Sequence, residues 1–213
     1  MIDSTFGFIG FGLIGGSIAK GIKRTNPSTR IMAYMRTRAK LEQAQRDGIV
    51  DLILDGPCES LRECDIVFLC TPVEYNASYL SEIRPYLKPG AVLTDVGSTK
   101  SDIHKVVTEL GMEDVFVGGH PMAEKTGYEN ATDHLLENAY YIITPTAKSR
   151  KEDVDRMVEV AKAIDSIPIV LDYQQHDRIV AAISHLPHLI ASSLVNLVKD
   201  SDDPEGRMKL LAA

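Results

Sequence analysis

The sequence predicts an α/β protein with a doubly wound, mostly parallel sheet, followed by the start of an all-α domain. Eight short apolar runs of strand length alternate with amphipathic stretches of helix length. The runs are apolar almost throughout, as expected for strands that are buried on both faces of a parallel sheet. After residue 171 the alternation stops and one long apolar stretch follows. We therefore assign residues 1–172 to the sheet domain and residues 173–213 to the N-terminal part of a helical domain.

The predicted strands and helices follow one another along the chain. The strands lie at residues 5–9, 30–34, 50–54, 65–70, 91–96, 115–118, 140–144 and 167–171. The helices lie at residues 13–23, 38–46, 74–86, 100–110 and 151–164. Beyond them, residues 174–199 are predicted to form one helix with apolar residues on several faces, and another helix begins at residue 207. A helix this apolar must pack against something, so we expect a partner subunit or chain beyond residue 213 to cover it.

Composition and charge limit the class of protein. The chain has 213 residues, of which 44% are hydrophobic, enough for a sizeable core. Its net charge of -7 and its scattered basic residues argue against a nucleic-acid partner. The three cysteines, Cys58, Cys64 and Cys70, show no paired spacing, so we expect reduced thiols in a cytoplasmic protein. The chain begins without a signal-peptide pattern, and no apolar run approaches the ~18 residues of a membrane-spanning helix, so we expect no membrane partner.

A glycine-rich turn joins the first predicted strand to the first helix. Gly10, Gly12 and Gly15 fit the G-x-G-x-x-G pattern of dinucleotide-binding turns. The first glycine permits the tight turn, the second lets the backbone approach a pyrophosphate, and the third lets helix and strand pack closely. With Leu13 and Ile14, they direct the free amides of a helix N-terminus toward the phosphates. The motif predicts a Rossmann-type domain that binds a nicotinamide dinucleotide; the alternative is a plain turn.

The end of the second strand bears on the choice between NAD and NADP. NAD-binding units place Asp or Glu there to bind the ribose hydroxyls, whereas this sequence has Met35. Arg36 and Thr37 follow, and neither would repel a 2′-phosphate. Either dinucleotide is therefore admissible, and the missing acid favours NADP. The alternative is that Arg36, together with Arg38, is only part of a solvated helix start.

Polar residues follow three other predicted strands. Thr71 and Pro72 come after the fourth strand, Gly97 and Ser98 after the fifth, and His120 after a Gly-Gly turn that ends the sixth. Because the carboxyl ends of parallel strands meet at one edge of a sheet, we expect these residues to converge beside the dinucleotide. A histidine in such a place is more often functional than structural.

Further histidines lie in or near the long helix. His185 and His188 are three residues apart, on neighbouring parts of one face. No cysteine or further nearby histidine completes a ligand set, so we expect no metal there. His176 and Asp177 precede them in the sequence. We interpret this pair simply as a feature of the helix N-terminus.

Four segments in this order, GFGLIGGS, DVGSTK, GGHPM and HDRIVAAISHLPHL, resemble the prephenate dehydrogenases, a family of tyrosine biosynthesis that includes arogenate dehydrogenases. The resemblance spans nearly the whole chain, and its histidine segments are more specific than the glycine pattern. It implies a Rossmann domain followed by a helical domain through which two subunits form a homodimer. It also implies that prephenate is oxidatively decarboxylated to 4-hydroxyphenylpyruvate with hydride transfer to NAD or NADP.

The resemblance implies roles for individual residues. His120 matches a family histidine that bonds the 4-hydroxyl of the substrate, and Ser98 matches a serine that shares this bond. His188 matches a histidine of the substrate pocket, with Ser184 and His185 beside it. A neutral imidazole can take the hydroxyl proton as hydride leaves the same ring carbon.

Two departures from the family pattern concern the substrate pocket. Glu124 follows the segment HPMA about two residues earlier than the family's glutamate, and we expect it to line the pocket. The family's substrate-binding arginine would lie beyond Ala213. The alternatives are an arogenate dehydrogenase, another dehydrogenase or reductase with a helical second domain, or a dinucleotide-binding module that forms dimers without catalysis.

Overall fold

The computed structural model describes residues 4–123 and 128–211, in which five strands form a parallel sheet. These strands are β1 Phe6–Ile9, β2 Ile31–Tyr34, β3 Leu52–Ile53, β4 Ile66–Leu69 and β5 Val92–Asp95. Their order across the sheet is β3-β2-β1-β4-β5, with Gly7 of β1 opposite Met32 of β2 and Val67 of β4. The strand order therefore reverses between β1 and β4, and ligands of such sheets bind at the carboxyl ends of the strands on either side of the reversal.

Three further strands extend the sheet beyond β5. β6 Val117–Pro121 runs antiparallel to β7 Tyr140–Pro145, which runs parallel to β8 Ile167–Val170. A parallel bridge between Leu93 and Phe116 connects β5 to the start of β6. The sheet is therefore mostly parallel, as predicted, but its last two strands run in the opposite direction.

β6 differs from its prediction, because it continues through Gly118 and Gly119 instead of ending in a turn there. Both glycines pair with β7. A Cβ on Gly118 would clash with the hydroxyl of Thr144, and one on Gly119 would lie 2.6 Å from the carbonyl oxygen of Asp95. These glycines permit close packing of strands. The prediction that His120 follows the strand is wrong, since His120 lies within it.

Helices cover both faces of the parallel sheet. They are α1 Leu13–Thr25, α2 Arg38–Arg46, α3 Asn76–Ile83, α4 Ser101–Glu109 and α5 Lys151–Ala163. The helix predicted for residues 74–86 is α3 with a 3₁₀ turn on each side, Val73–Tyr75 and Arg84–Tyr86. Pro85 limits α3 because it has no N–H to continue the helical hydrogen bonds. Two other 3₁₀ turns lie at Glu59–Glu63 and Tyr128–Asn130.

Apolar side chains fill both layers between the sheet and its helices. On one face, Phe6 and Phe8 pack with side chains of α1 and α5, and Phe8 stacks on Phe68 with ring centroids 5.0 Å apart. On the other face, Ile9 and Val67 pack with side chains of α3 and α4. Successive residues of a strand point to opposite faces, and both faces are covered, so these strands are apolar along their whole length.

A helix of 29 residues, Tyr173–Ser201, follows the sheet. It consists of α6 Tyr173–Val180, a π-helical turn Ala181–His185 and α7 Leu186–Ser201. Asp172 caps its start by accepting hydrogen bonds from two backbone N–H groups of the first turn, at 2.9 and 3.0 Å. The π turn precedes Pro187, whose ring would clash with a carbonyl in ordinary helical geometry, and the wider turn relieves that clash.

α7 exposes most of its apolar side chains: Leu189 is 65% exposed and Val195 is 66% exposed. The short α8, Arg207–Leu211, follows it. Among the described residues, Tyr173–Ser201 is the one helix that is long and apolar enough to cross a membrane, a property that helices buried in proteins share. No uninterrupted apolar run marks this helix in the sequence, because polar residues are scattered through a stretch whose mean hydropathy is 1.4.

Candidate active site

A cavity of about 490 Å³ lies at the carboxyl ends of β1, β2 and β4. It is lined by most of the residues predicted to bind a dinucleotide, namely Gly10, Gly12, Leu13, Ile14, Arg36, Thr37, Thr71 and Pro72. Met35, Tyr75 and Tyr79 also line it. The fold thus brings three separate segments of predicted residues to one place.

The three glycines of the turn have different steric reasons to be glycine. Gly10 has a φ of +91°, and a Cβ there would lie 2.6 Å from the carbonyl carbon of Cys70. Gly15 does not line the cavity; a Cβ there would come within 2.9 Å of the Gly10 carbonyl oxygen, so this glycine permits the packing of α1 on the sheet. Gly12 has no described atom within 4 Å of where a Cβ would be, so the backbone there is open to a ligand. The N-terminus of α1 begins at Gly12, and its free N–H groups favour a phosphate.

Arg36 and Arg38 differ in their surroundings. Arg36 lines the cavity, and its guanidinium lies 5.4 Å from the centre of the Tyr75 ring, which is a cation–π distance. Arg38 instead forms an exposed ion pair with Asp55. Met35 lines the cavity where NAD-binding units have an acid. Of these two arginines, Arg36 is therefore the one positioned to contact a ligand in the cavity.

A second cavity, of about 330 Å³, lies beside the first. Its lining is Ser98, His120, Met122, Ala123, Val180, Ser184 and His185. Val96 lines the first cavity and Ser98 the second, so the turn at residues 96–98 separates them. Gly97 lines neither cavity; its N–H donates to the Asp95 carboxylate at 2.9 Å and so shapes this turn. The second cavity unites four predicted residues from three distant parts of the sequence.

Two predicted substrate-binding residues are not in this lining. His188 is exposed on α7, outside the cavity, whereas Ser184 and His185 in the π turn face it. A π turn inserts about one residue into the helix and so changes which of the following side chains face the sheet domain. Glu124 lies outside the described residues.

The side chain of His120 is nearly buried and contacts a second histidine. Its Nδ1 lies 2.9 Å from Nε2 of His176, and Nδ1 of His176 lies 2.8 Å from a carboxylate oxygen of Asp177. Asp177 also accepts hydrogen bonds from the N–H groups of Lys100 and Ser101, both at 2.8 Å. The pair formed by His176 and Asp177 is therefore more than a helix N-terminal feature, because it connects His120 to the start of α4.

A buried ion pair fixes the segments beside the cavity. Lys100 and Asp95 are both fully buried, and their side chains form an ion pair. Lys100 Nζ also donates to the carbonyl oxygen of Gly119 at 2.7 Å. Asp95 accepts hydrogen bonds from the N–H groups of Gly97 and Gly119. The pair thus ties the turn after β5 to the strand that carries His120.

Burial keeps both histidines neutral. It lowers the pKa of His120 to about 3, and the positive charge of Lys100 contributes to this shift. Burial also lowers the pKa of His176, although the hydrogen bond to Asp177 opposes the change. Burial would raise the pKa of Asp177, but hydrogen bonds from Ser101 and His176 hold it below its usual value. At neutral pH the group therefore contains two neutral imidazoles and an ionised carboxylate.

The sequence prediction missed Asp95, Lys100, His176 and Asp177 as parts of the site. Two patterns are visible in the sequence: charged residues on either side of a turn at a strand end, and an acid beside a histidine at a helix start. Neither pattern reveals its partners, because His120 and His176 lie 56 residues apart and only the fold brings them into contact.

The fold and the adjoining cavities define a Rossmann-type NAD(P)-binding protein with a histidine-containing pocket beside the cofactor crevice. The family model described as the prephenate dehydrogenase nucleotide-binding domain matches residues 18–169, and that of the prephenate dehydrogenase dimerization domain matches residues 172–213. The chain belongs to the prephenate dehydrogenase family.

Two curated relatives are prephenate dehydrogenases from Lactococcus lactis subsp. cremoris and Bacillus subtilis, which are 37% and 35% identical to this chain. The similarity covers 96% of this chain in both cases, and 57% and 56% of the relatives. The chain thus spans slightly more than half the length of these relatives.

Two solved structures are also similar. The prephenate dehydrogenase of Aquifex aeolicus, in complex with hydroxyphenyl propionate and NAD+, matches with a TM-score of 0.88 and 28% identity over 97% of this chain and 73% of that chain. Synechocystis arogenate dehydrogenase matches with a TM-score of 0.84 and 30% identity, with the same coverage of 97% and 73%.

Proposed function

We propose that this chain supplies the dinucleotide site and part of the substrate site of an enzyme that converts prephenate to 4-hydroxyphenylpyruvate, with loss of CO2 and hydride transfer to NAD(P). The observation that carries this proposal is the meeting of Ser98, His120 and Ser184 in a cavity beside the glycine-turn cavity. The family and the names of its relatives support the same reaction.

The first cavity suits a dinucleotide. The open backbone at Gly12 and the N-terminus of α1 are fitted to a pyrophosphate, with Gly10, Leu13 and Ile14 forming the turn around it. Thr71 and Pro72 contact the dinucleotide from the end of β4, and Gly97 lies in the turn between the two cavities. When bound, NAD(P) supplies a nicotinamide ring that accepts hydride. The Aquifex neighbour, in complex with NAD+, supports this assignment.

His120 performs the acid–base step of the proposed reaction. Its neutral imidazole accepts the proton of the substrate's 4-hydroxyl while hydride leaves the ring carbon that bears this hydroxyl. Ser98 shares the hydrogen bond to that oxygen and holds it in place. The substrate then loses CO2, its ring becomes aromatic, and the proton held by His120 returns to the product oxygen. Aromatisation makes the reaction downhill, so the protein mainly aligns the ring with the cofactor.

The remaining predicted residues belong to the substrate side. Ser184 and His185 line the second cavity, and we propose that they contact the substrate. His188 and Glu124 are proposed to complete the pocket, as the family resemblance implies.

The choice of cofactor and substrate is also part of the proposal. Met35 in place of an acid, and Arg36 in the cavity, support acceptance of NADP in addition to NAD. The relatives from Lactococcus and Bacillus are named for prephenate, which supports that substrate. The Synechocystis neighbour is named for arogenate and makes arogenate the alternative.

We also propose that the enzyme is a cytoplasmic homodimer joined through the helical region. The match to a dimerization domain and the exposed apolar side chains of α7 support this assembly. The free thiols of Cys58, Cys64 and Cys70 fit a reducing compartment. We expect this enzyme to bind a small-molecule substrate, and we expect no nucleic-acid or membrane partner.

The test of the proposal is a turnover assay of the full-length protein that crosses prephenate and arogenate with NAD and NADP. We expect reduction of the cofactor with prephenate, faster with NADP than with NAD, and equal rates with the two cofactors would contradict the preference for NADP. Dinucleotide binding without turnover of either substrate would contradict an enzyme and support the non-catalytic module.

A variant pair tests the cofactor assignment within the same assay. Arg36→Ala should weaken NADP binding more than NAD binding, because only NADP offers a 2′-phosphate, while the exposed Arg46→Ala in α2 is the control. Loss of a charged hydrogen bond costs about 1.5–3 kcal/mol, or roughly tenfold or more in affinity. Equal effects of Arg36→Ala on the two cofactors would remove the argument from Met35 and Arg36.

A further inference from the structure

We propose that His176 and Asp177 are positioning residues that hold His120 in one tautomer, with the proton on Nδ1 and a free lone pair on Nε2. This inference rests on the proposed role of His120 as the base. It assigns a task to two residues that the reaction does not otherwise require, and that task follows from the order of donors and acceptors along the hydrogen bonds.

The series of hydrogen bonds begins at Asp177, whose carboxylate can only accept hydrogen bonds. The backbone N–H of Lys100 donates to Oδ1 at 2.8 Å, and the backbone N–H and hydroxyl of Ser101 donate to Oδ2 at 2.8 and 2.5 Å. Backbone N–H groups have no acceptor role, and they lie at the N-terminus of α4, where negative charge is favoured. Asp177 is therefore an ionised carboxylate with a fixed orientation.

The carboxylate sets the tautomer of His176. Nδ1 of His176 lies 2.8 Å from Oδ1 of Asp177, so this nitrogen must carry a proton to donate. His176 is fully buried, and burial together with the positive charge of Lys100 opposes a second proton on its ring. Nε2 of His176 is then left as an acceptor.

His176 in turn sets the tautomer of His120. The acceptor Nε2 of His176 lies 2.9 Å from Nδ1 of His120, which must therefore carry the proton. The lone pair of His120 remains on Nε2, the nitrogen that makes no contact with His176. His120 lines the second cavity, so this lone pair is the one available to a substrate hydroxyl. When Nε2 takes up a proton, the resulting cation is stabilised through His176 by the Asp177 carboxylate.

The reverse order of protons would disable the base. If His176 carried its proton on Nε2, it would donate to Nδ1 of His120, whose own proton would then lie on Nε2. Such a ring has no lone pair for the substrate hydroxyl on that nitrogen. The carboxylate excludes this state because it would face the unprotonated Nδ1 of His176 without a donor. Other charged or titratable groups near the two rings are Lys100, Asp95 and His185.

Nuclear magnetic resonance of ¹⁵N-labelled histidine in the intact protein tests the inference directly, since the ¹⁵N shift distinguishes a protonated ring nitrogen from an unprotonated one. His120 is assigned by the signals lost in His120→Asn. We expect a proton on Nδ1 and none on Nε2 at neutral pH without substrate. A proton on Nε2 of the wild-type His120 would overturn the proposal.

Variants at Asp177 test whether the carboxylate is responsible. Asp177→Asn should shift His120 toward the Nε2-protonated tautomer and lower kcat, by up to the roughly 10²–10⁴-fold that a general base contributes. KM and dinucleotide affinity should not change. Asp177→Glu keeps the carboxylate and should lose less. The control is Asp172→Asn at the start of the same helix, where the side chain bonds the N–H groups of Gln174 and Gln175.

The outcomes separate positioning from stability and from the proposed function. An Asp177→Asn protein whose tautomer is unchanged, or whose tautomer changes without loss of kcat, would contradict the inference. If that variant does not fold, His176→Phe removes the acceptor and should likewise release the tautomer of His120. The tautomer is read without turnover, so an inactive protein with the expected tautomer would count against the proposed function alone.

Discussion

Gly10 and Gly12 lie two residues apart in the turn, yet each is glycine for a different reason. At Gly10, the positive φ and the neighbouring Cys70 carbonyl leave no room for a side chain. At Gly12, the space beyond the backbone is part of the cavity itself. Gly10 is therefore required by the backbone conformation of the turn, whereas Gly12 leaves space for a ligand.

This difference gives a prediction for two alanine variants. Gly10→Ala should lower the free energy of unfolding by at least the roughly 1–2 kcal/mol of a left-handed residue, because the clash adds to that cost. Gly12→Ala should leave thermal stability unchanged and weaken NAD(P) binding, because its methyl group would occupy the place of the pyrophosphate. Thermal melts and dinucleotide titrations of both variants measure this, and equal losses of stability would contradict it.

At the level of elements, the turn after β5 and the strand β6 hold the catalytic candidates through a shared ion pair. Asp95 lies at the end of β5, Lys100 precedes α4, and both bond to the backbone of Gly119 in β6. These hydrogen bonds thus connect three elements whose neighbouring residues, Ser98 and His120, line the second cavity. Their relative position sets the distance between Ser98 and His120.

The effect of breaking this pair can be predicted. Lys100→Met leaves the Asp95 carboxylate buried and unpaired, which costs about 3–5 kcal/mol of stability in comparable cases. The double variant Lys100→Met/Asp95→Asn should recover part of that loss, since the unpaired charge is gone. Lys105→Met, on the exposed face of α4, is the control. Denaturant unfolding measures all three, and a Lys100→Met loss no larger than that of Lys105→Met would contradict a structural role of the buried ion pair.

The sequence predicts most elements but not their mutual arrangement. Apolar runs locate the strands, because burial on both faces of the sheet requires apolar side chains along the whole strand. The direction of a strand leaves no periodic signal in the sequence, so the antiparallel pairing of β6 with β7 was not predictable. Gly118 and Gly119 read as a turn because glycine permits turns and close strand contacts alike. The dinucleotide turn was predictable because its steric needs are local, whereas the contact of His120 with His176 depends on the complete fold.

For the whole molecule, buried neutral histidines make stability depend on pH. His104, a buried residue of α4, joins His120 in this respect. Burial lowers the pKa of His120 to about 3 and that of His104 to about 4, from 6.5 in the unfolded chain. Between the lowered pKa values and pH 6.5, the unfolded chain binds more protons than the folded one, so the free energy of unfolding rises with pH. Their contribution is complete above about pH 6.5 and is lost as the pH falls toward 4.

We therefore expect the free energy of unfolding to fall steadily from about pH 6.5 to about pH 4. His120→Asn should reduce the slope, because it removes one of the groups whose pKa burial lowers. Denaturant titrations across this pH range provide the measurement. A slope that is unchanged in His120→Asn would contradict the assignment.

The exposed apolar surface of the long helix is the other property of the molecule as a whole. If it joins two subunits, Leu189→Asp should convert the full-length dimer to monomers, because a charge would be buried without a partner. Val170→Asp introduces the same charge at an exposed residue of β8, outside the helix, and should leave the dimer intact. Sedimentation measures the mass of each, and a Leu189→Asp protein that remains dimeric would argue against this interface.

If His120 is the base beside the dinucleotide site, removing its imidazole should abolish turnover and leave dinucleotide binding intact. Full-length wild-type, His120→Asn and His134→Asn proteins are compared for NAD(P) reduction with prephenate and for dinucleotide affinity. We expect His120→Asn to lose roughly 10²–10⁴-fold in kcat with its dinucleotide affinity unchanged, while His134→Asn retains both. Full turnover in His120→Asn would contradict the claim.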